Sequence, residues 1–504
     1  MTVRELLEAL AGAASPDERI ELPASRALDV ACRGVTHDSR RVEPGWVFVA
    51  LRGLKSDGAA FAPQAIAAGA AAVVAERAPQ EPSETPWIVV SHARLALAQL
   101  AAEFFGHPSR KMRVVGITGT NGKTTTSYLV GAIFEAAGIR CGVLGTVKYR
   151  IGDREYAAER TTPEAPELQG LMHDMVTAGC GACAMEVSSH ALALRRADGI
   201  HFAAGVFTNL TRDHLDFHAD MEDYFAAKRR LFELLPADAP AAINLDDPRG
   251  AAIVEVVRRP VTYAVNRPAD VTPGPLALSL DGLAFDVRTP HGELHIASPL
   301  VGRPNVYNIL AAVSVTIALD VPRQAVASGI AGLPGVPGRF ERVSSPEDDV
   351  TVIVDYAHTD DALRNLLEVA RPLASRRLIT VFGAGGDRDR TKRPLMGMVA
   401  ARLSDLVVVT SDNPRSEDPQ RILDEINLGA QQEIRQRDVE VLTIVDRRDA
   451  IRYALDHASA GDLILVAGKG HEKYQEIGRR LLAFDDVAVA REALQARRDR
   501  LRVG

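Results

Sequence analysis

Short apolar runs recur along the whole chain, separated by Ala-rich stretches and by Gly- and Pro-bearing breaks, and this spacing predicts alternating strands and helices. Near the N-terminus, Val47-Phe48-Val49-Ala50 and Ala72-Val73-Val74-Ala75 read as strands and Pro63 to Ala68 as a helix, the pattern of a small α/β unit. Phe105-Gly106-His107-Pro108-Ser109 then breaks the periodicity, so a first domain is expected over 1–108. A buried strand at Val114-Val115-Gly116-Ile117 leads through a Gly-rich turn into a helix beginning near Lys123. Further strands follow at Ala182 to Val187, Ala204 to Phe207 and Ala241 to Asn244. Between Val261 and Leu300 a two-residue alternation with turn residues predicts an antiparallel patch. A helix of small residues, Tyr307 to Ala318, precedes the breaker Leu333-Pro334-Gly335-Val336-Pro337-Gly338, which closes a second domain at 109–336. The remainder, 337–504, repeats strand and helix through Val352-Ile353-Val354, Leu378 to Phe382, Leu406 to Thr410, Val441 to Val445 and Leu463 to Val466. Such alternation predicts a doubly wound, mostly parallel sheet with ligands at the C-terminal ends of its strands.

Composition agrees with that picture and narrows the class. A chain of 504 residues is too long for one hydrophobic core and suits three domains. Its 46% hydrophobic and 25% charged residues are ordinary for a globular protein, and a net charge of -7 argues against nucleic acid or an anionic membrane as partner. Met1 to Ile20 shows no basic segment followed by an apolar one, so no secretory signal is read. Runs such as Ala65 to Ala75 are too short to span a bilayer. Four cysteines fit a reducing compartment, the cytoplasm. Cys180 and Cys183 form a C-x-x-C, but it runs into the strand Ala184-Met185-Glu186-Val187 rather than a helix, so a structural role is expected.

The chemistry begins at Gly119-Thr120-Asn121-Gly122-Lys123-Thr124-Thr125. A turn between strand and helix offers backbone N–H groups and a helix N-terminus to a phosphate, Lys123 adds a point charge, and the Thr124 hydroxyl can ligate Mg²⁺. The strict G-x-x-x-x-G-K-[ST] pattern is not met, because Ile117 stands where its first Gly belongs. Glu186 ends a strand, where its carboxylate can ligate Mg²⁺ beside Thr124. Thr211-Arg212-Asp213-His214-Leu215-Asp216-Phe217-His218 concentrates further metal-competent side chains. His214 and His218 have the spacing of a zinc helix, yet the glutamate of H-E-x-x-H is absent. Lys228 lies one turn beyond Tyr224 on a predicted helix and, from the pattern alone, reads as a solvated lysine.

Taken in order, G-T-N-G-K-T-T at Gly119, M-E-V-S-S-H at Met185, F-T-N-L-T-R-D-H-L-D-F-H at Phe207, G-R-P-N-V-Y-N at Gly302, D-Y-A-H-T at Asp355, G-G-D-R-D at Gly385, S-D-N-P-R at Ser411 and A-G-K-G-H-E at Ala467 resemble the Mur ligases, a family that also holds the folylpolyglutamate synthetases. The branch that adds meso-diaminopimelate to UDP-N-acetylmuramoyl-L-alanyl-D-glutamate is the most similar. The resemblance implies three α/β domains: an N-terminal one for the UDP end, a central P-loop ATPase-like parallel sheet, and a C-terminal Rossmann-like doubly wound sheet that receives the amino acid. It implies ATP as co-substrate, two Mg²⁺ ions, an acyl-phosphate intermediate, and a monomer acting in peptidoglycan synthesis. Lys228 is then carbamylated and joins His214 as a metal ligand, which reverses the solvated reading. Asn305, Arg339 and His358 match nucleotide-contacting positions, with Asp355 nearby. Ser39, Thr161, Thr162, Ser188 and Arg196 match positions that hold the UDP-sugar substrate. Leu194 and Arg160 depart from the family pattern, which often has glutamine and asparagine there.

The resemblance also implies that the amino acid is read by Asp412-Asn413-Pro414-Arg415. Diaminopimelate carries a far carboxylate that lysine lacks, and an arginine fork meets a carboxylate in bidentate fashion. Arg415 is the expected reader, Arg388 a second contact, and Glu472 the partner of the distal ammonium, with Gly468 beside them. The Asp412 to Arg415 motif argues against a lysine-adding or folate-directed ligase. Glu186, His214 and Lys228 together argue against a binding protein that merely uses nucleotide as a switch. A dehydrogenase reading of Gly383-Ala384-Gly385-Gly386 fails, since Arg388 occupies the third fingerprint position.

Overall fold

Strands buried along nearly their whole length form the spine of each unit in the computed structural model, which describes residues 1–13, 20–53, 57–79, 81–435 and 438–503. Near-continuous apolar runs make such strands because both faces of a parallel sheet are covered by helices. The N-terminal unit is a parallel sheet of Gly34–Thr36, Trp46–Val49, Ala72–Ala75 and Trp87–Val89 in that order. The central sheet runs Arg259–Tyr263, Pro240–Asn244, Ala204–Phe207, Arg113–Thr118, Ala182–Glu186, Cys141–Leu144, then Lys148–Ile151 and Arg154–Ala157. All neighbours are parallel up to Cys141–Leu144, and the last two strands turn back antiparallel. The C-terminal sheet orders Glu341–Arg342, Thr351–Asp355, Leu463–Ala467, Leu378–Phe382, Leu406–Val409 and Glu440–Thr443, parallel except for its short first strand.

Two cores flank the central sheet. Helices Lys123–Ala136 and Arg303–Ala318 bury Leu129, Ile133, Ile309 and Val313 on one face, while Ala165–Thr177 and Met221–Glu233 bury Met172, Phe225 and Phe232 on the other. The antiparallel patch starts later than the alternation suggests. Val261 belongs to the parallel edge strand, and the patch proper comprises Thr272–Pro273, Ala277–Ser279, Gly282–Thr289 and Gly292–Ser298. The helix expected from Tyr307 begins instead at Arg303, because Gly302 at φ 92 turns the chain and Pro304 is tolerated in a first helical turn. Cys180 and Cys183 are buried, Cys183 inside the Ala182–Glu186 strand. Among the described residues no helix is long and apolar enough to cross a membrane.

The units meet through polar links. Arg41 of the N-terminal unit pairs with Glu167 of the central one at 2.9 Å. Asn121 donates to Asp361 at 3.2 Å, and Arg339 to the Thr124 hydroxyl at 3.3 Å, both joining the central and C-terminal units. The C-terminal ends of the central and C-terminal sheets therefore face a common cleft.

Candidate active site

The Arg113–Thr118 strand ends at a turn where Gly119 (φ 150) and Gly122 (φ 87) adopt conformations an L side chain resists. A Cβ there would meet Thr208 Oγ1 at 1.9 Å and Asn308 Oδ1 at 2.4 Å. The turn then opens the Lys123–Ala136 helix, so unpaired N–H groups and the positive end of the helix dipole point into the cleft. Asn209 pins it, its carbonyl accepting from Thr120 N–H at 2.8 Å and its side chain from Asn121 N–H at 2.9 Å. Lys123 curls back to donate to the carbonyls of Gly119 at 2.9 Å and Thr120 at 2.8 Å. Burial pushes its ammonium below the ordinary lysine range, against the pull of Glu186 and Asp213.

Lys228 is not solvated. It is 1% exposed, because the face of the Met221–Glu233 helix that carries Tyr224 and Lys228 turns onto the phosphate turn. Its Nζ donates to the Gly119 carbonyl at 2.7 Å and lies 4.5 Å from the Tyr224 ring centre. Burial, with Lys123 beside it, drives the amine well below its usual range. Glu186 ends its strand 1% exposed and accepts from the Thr146 N–H at 2.8 Å and hydroxyl at 3.0 Å. His214 sits at φ 55, its N–H on Asp213 at 2.8 Å, and burial keeps its imidazole neutral. Phe340 and Arg415 also hold positive φ where they line the cleft, backbone strain of the kind that functional sites store.

Thr124, Glu186, His214 and Lys228 line one cavity of 290 Å³ together with Gly122, Lys123 and Thr125. Among the described residues no three His, Cys, Asp or Glu side chains converge as a metal cage. A hydroxyl, a carboxylate and a neutral imidazole nevertheless fit Mg²⁺, which takes few protein ligands and completes its shell with water and substrate phosphates. Asn305, Arg339 and His358 close the far side of this cavity. Asn305 accepts from Asn308 at 2.9 Å, the Arg339 guanidinium stacks 4.6 Å from the Tyr356 ring, and His358 bonds to the Tyr356 carbonyl at 2.9 Å. Asp355 accepts from the N–H groups of Phe340 at 2.6 Å and Ala357 at 2.8 Å, which fixes the loop.

The residues matched to the UDP substrate fall in two places. Thr161 and Ser188 line the same cavity, Thr161 bonded to Thr146 at 3.0 Å. Thr162 lies behind them, donating to the Glu186 carbonyl at 3.0 Å and accepting from Ser188 N–H at 3.1 Å. Arg196 donates to the Thr162 carbonyl at 3.2 Å and pairs with Glu164 at 2.7 Å. Ser39 lies in the N-terminal unit, donating to Gln64 at 2.9 Å. Arg160 shares the Glu164 carboxylate with Arg196, at 2.9 Å, an anchor the sequence reading missed.

A second cavity, 450 Å³, adjoins the first and shares Asp213, His214, Tyr356, His358 and Thr359 as its wall. Arg388, Asp412, Asn413, Arg415, Gly468 and Glu472 line it; Pro414 does not, and instead packs its carbonyl against Gly386. Lys469, fully buried, was also missed, although it lies within A-G-K-G-H-E. Its ammonium donates to Asp412 at 3.4 Å, Asn413 at 2.9 Å and Glu472 at 3.1 Å. Burial works to raise the Asp412 carboxyl, but Lys469 and Arg447 outweigh it and hold it below the usual range. Arg415 places Nε on Glu476 at 3.0 Å and Nη1 on the Gly386 carbonyl at 2.7 Å, leaving Nη2 without a protein acceptor among the described residues. Its backbone is stitched to the Tyr474–Ile477 strand through Glu476 and Gly478.

A phosphate turn and an acid–base pocket, joined by one wall between two α/β units, define an enzyme that couples a nucleotide to a second small substrate. The chain belongs to the Mur ligase family: residues 32–105 match its catalytic domain, 117–316 its middle domain and 338–470 its glutamate ligase domain. It is 48% identical over 482 residues to a UDP-N-acetylmuramoyl-L-alanyl-D-glutamate--2,6-diaminopimelate ligase of Solibacter usitatus, covering 94% of this chain and 97% of that one. A protein of the same name from Gloeobacter violaceus is 49% identical over 483 residues, covering 96% and 98%. A solved structure under that name superposes with a TM-score of 0.71 at 33% identity, covering 99% of each chain.

Proposed function

We propose that this chain joins meso-diaminopimelate to the D-glutamyl γ-carboxylate of UDP-N-acetylmuramoyl-L-alanyl-D-glutamate, converting ATP to ADP and phosphate, in the cytoplasmic steps of peptidoglycan synthesis. The observation that carries this reading is the shared wall between the phosphate-binding cavity and the charged pocket, which lets an activated carboxyl meet an amine without crossing bulk water.

A carboxylate is a poor electrophile and needs activation before an amine attacks it. Lys123 and the N–H groups of the turn hold the phosphates, while Asn305, Arg339 and His358 orient the nucleoside. The substrate γ-carboxylate attacks the γ-phosphorus, the bond to the bridging oxygen breaks, and ADP leaves an acyl phosphate. Burial disfavours the Lys228 ammonium and so favours the neutral amine, the form that adds to CO₂. A nitrogen–carbon bond forms, a proton is lost to solvent, and the buried amine becomes an anionic oxygen ligand. Thr124, Glu186, His214 and the Lys228 carbamate would hold two Mg²⁺ ions, whose charge neutralises the transferred group. Thr161, Thr162, Ser188 and Arg196 orient the peptide end of the UDP substrate and Ser39 its nucleotide end.

In the second pocket Lys469 offsets one of the two acids Asp412 and Glu472, leaving net negative charge for the distal ammonium of diaminopimelate. Arg388 and the free Nη2 edge of Arg415 receive its distal carboxylate. Lysine offers no distal carboxylate, and leaving such charges unpaired yields discrimination of about 10⁴. ADP release with ATP, Mg²⁺ and UDP-N-acetylmuramoyl-L-alanyl-D-glutamate is expected with meso-diaminopimelate and not with L-lysine. Turnover with lysine keeps the ligase and discards the specificity argument, and no turnover with either refutes both. Arg415→Ala should raise the KM for diaminopimelate at least about tenfold, as loss of a charge-assisted bond implies.

A further inference from the structure

The Lys392–Leu403 helix starts at the wall of the amino-acid pocket, and its first turn is fixed from below. Arg393, fully buried, donates to Glu417 at 2.8 and 3.0 Å, to Glu425 at 2.8 Å and to the Gly385 carbonyl at 3.2 Å. Lys392, the residue before it, lines the second cavity but not the first. Its Nζ donates to the His358 carbonyl at 2.8 Å, and His358 belongs to the wall both cavities share. The carboxylates that face it have other partners: Asp213 accepts from the His214 N–H, Asp389 pairs with Arg212 and Asp412 with Lys469. Among the described residues no carboxylate lies within ion-pair distance of the Lys392 ammonium. A cation at a helix N-terminus also meets the unfavourable end of the dipole, so helix stability gives no reason for a lysine here.

We propose that Lys392 is the anion-binding residue of the second half-reaction, its ammonium holding the oxygens of the acyl phosphate while the amine displaces phosphate. The assignment rests on the ligase reading. In this step the neutral amine forms the carbon–nitrogen bond and the carbon–oxygen bond to phosphate breaks. Phosphate leaves with the bonding pair and takes up the surplus proton of the new amide nitrogen. The cation sits on the side from which the amine arrives, so its charge counts most after the γ-phosphoryl group has moved.

The test separates the two half-reactions in the full-length enzyme. Lys392→Met should still form ADP in a single turnover from ATP and UDP-N-acetylmuramoyl-L-alanyl-D-glutamate alone. Its kcat with meso-diaminopimelate should fall about a hundredfold, the scale of losing one preorganised donor to a developing oxyanion, with KM changed less than threefold. Lys392→Arg, which keeps the charge, should recover at least a third of the lost rate on a logarithmic scale. Turnover of the Met variant within threefold of wild type overturns the assignment. So does an equal loss of single-turnover ADP formation, or a loss confined to KM. A wild type that releases no ADP on adding diaminopimelate overturns the ligase reading, and this role with it.

Discussion

At the scale of single residues, the site turns on two lysines, Lys228 buried and Lys123 half-buried, that share one acceptor. Lys123 and Lys228 both donate to the Gly119 carbonyl, at 2.9 and 2.7 Å, yet the roles proposed for them are opposite in charge. Lys123→Ala should cost at least about a hundredfold in kcat, as loss of a major electrostatic donor does; steady-state ADP release checks this, and a few-fold effect refutes the role. Lys228→Met should lower turnover by a similar factor, because a thioether offers no carbamate. It should not lower the thermal midpoint, since it replaces a buried amine with an apolar chain of similar length and leaves the Gly119 carbonyl its bond from Lys123. A drop in midpoint matching the loss of turnover would mean that Lys228 serves the fold alone. The two lysines also mark what sequence could reach. Lys123 is legible because its neighbours in the chain supply the site. The burial of Lys228 is not, because it depends on a carbonyl far away in the chain. The same holds for Glu186, whose partner Thr146 comes from another turn, and for Glu164, which gathers Arg160 and Arg196.

At the scale of elements, the strands were readable because each is an unbroken apolar run, whereas helix starts and the onset of the antiparallel patch depended on Gly302, Pro304 and the pairing of Arg259–Tyr263 with its parallel neighbour. The loops around the second pocket were readable as motifs, but not their scaffolding. The buried Arg393 anchors the Lys392–Leu403 helix to Glu417 and Glu425, and this pairing has a measurable pH signature. Arg393 holds the Glu417 carboxyl down to about 2 from a usual 4.5. A carboxyl lowered on folding stabilises the fold fully above its unfolded pKa, and that contribution is lost as pH falls through the folded value. The stability difference between wild type and Glu417→Gln should therefore be largest above the usual 4.5, shrink as pH falls toward about 2, and vanish only below it. Denaturant midpoints across that range check this; a gap that stays constant with pH would assign the anchor to packing rather than charge.

At the scale of the molecule, the nucleotide turn belongs to one unit and part of its surroundings to another. Asn121 reaches Asp361, and Arg339 reaches Thr124, across the cleft. Asp361→Ala removes a link between units without touching the groups assigned to chemistry. It should raise the KM for ATP about three- to tenfold, the worth of one hydrogen bond, with kcat near wild type. An unchanged KM would show that the units are held without this bond.

The wall of Asp213, His214, Tyr356, His358 and Thr359 carries one more consequence. Because the same side chains face both chambers, a single compound with an adenosine-like head and a diaminopimelate-like tail has only that wall to cross. Tethering makes the second engagement intramolecular, at an effective concentration in the millimolar range for a short linker, so avidity can exceed either fragment alone by about 10² or more. Its selectivity would come from the charged tail, since the Asp412 to Arg415 segment, unlike the phosphate turn, is the part proposed to tell one amino acid from another.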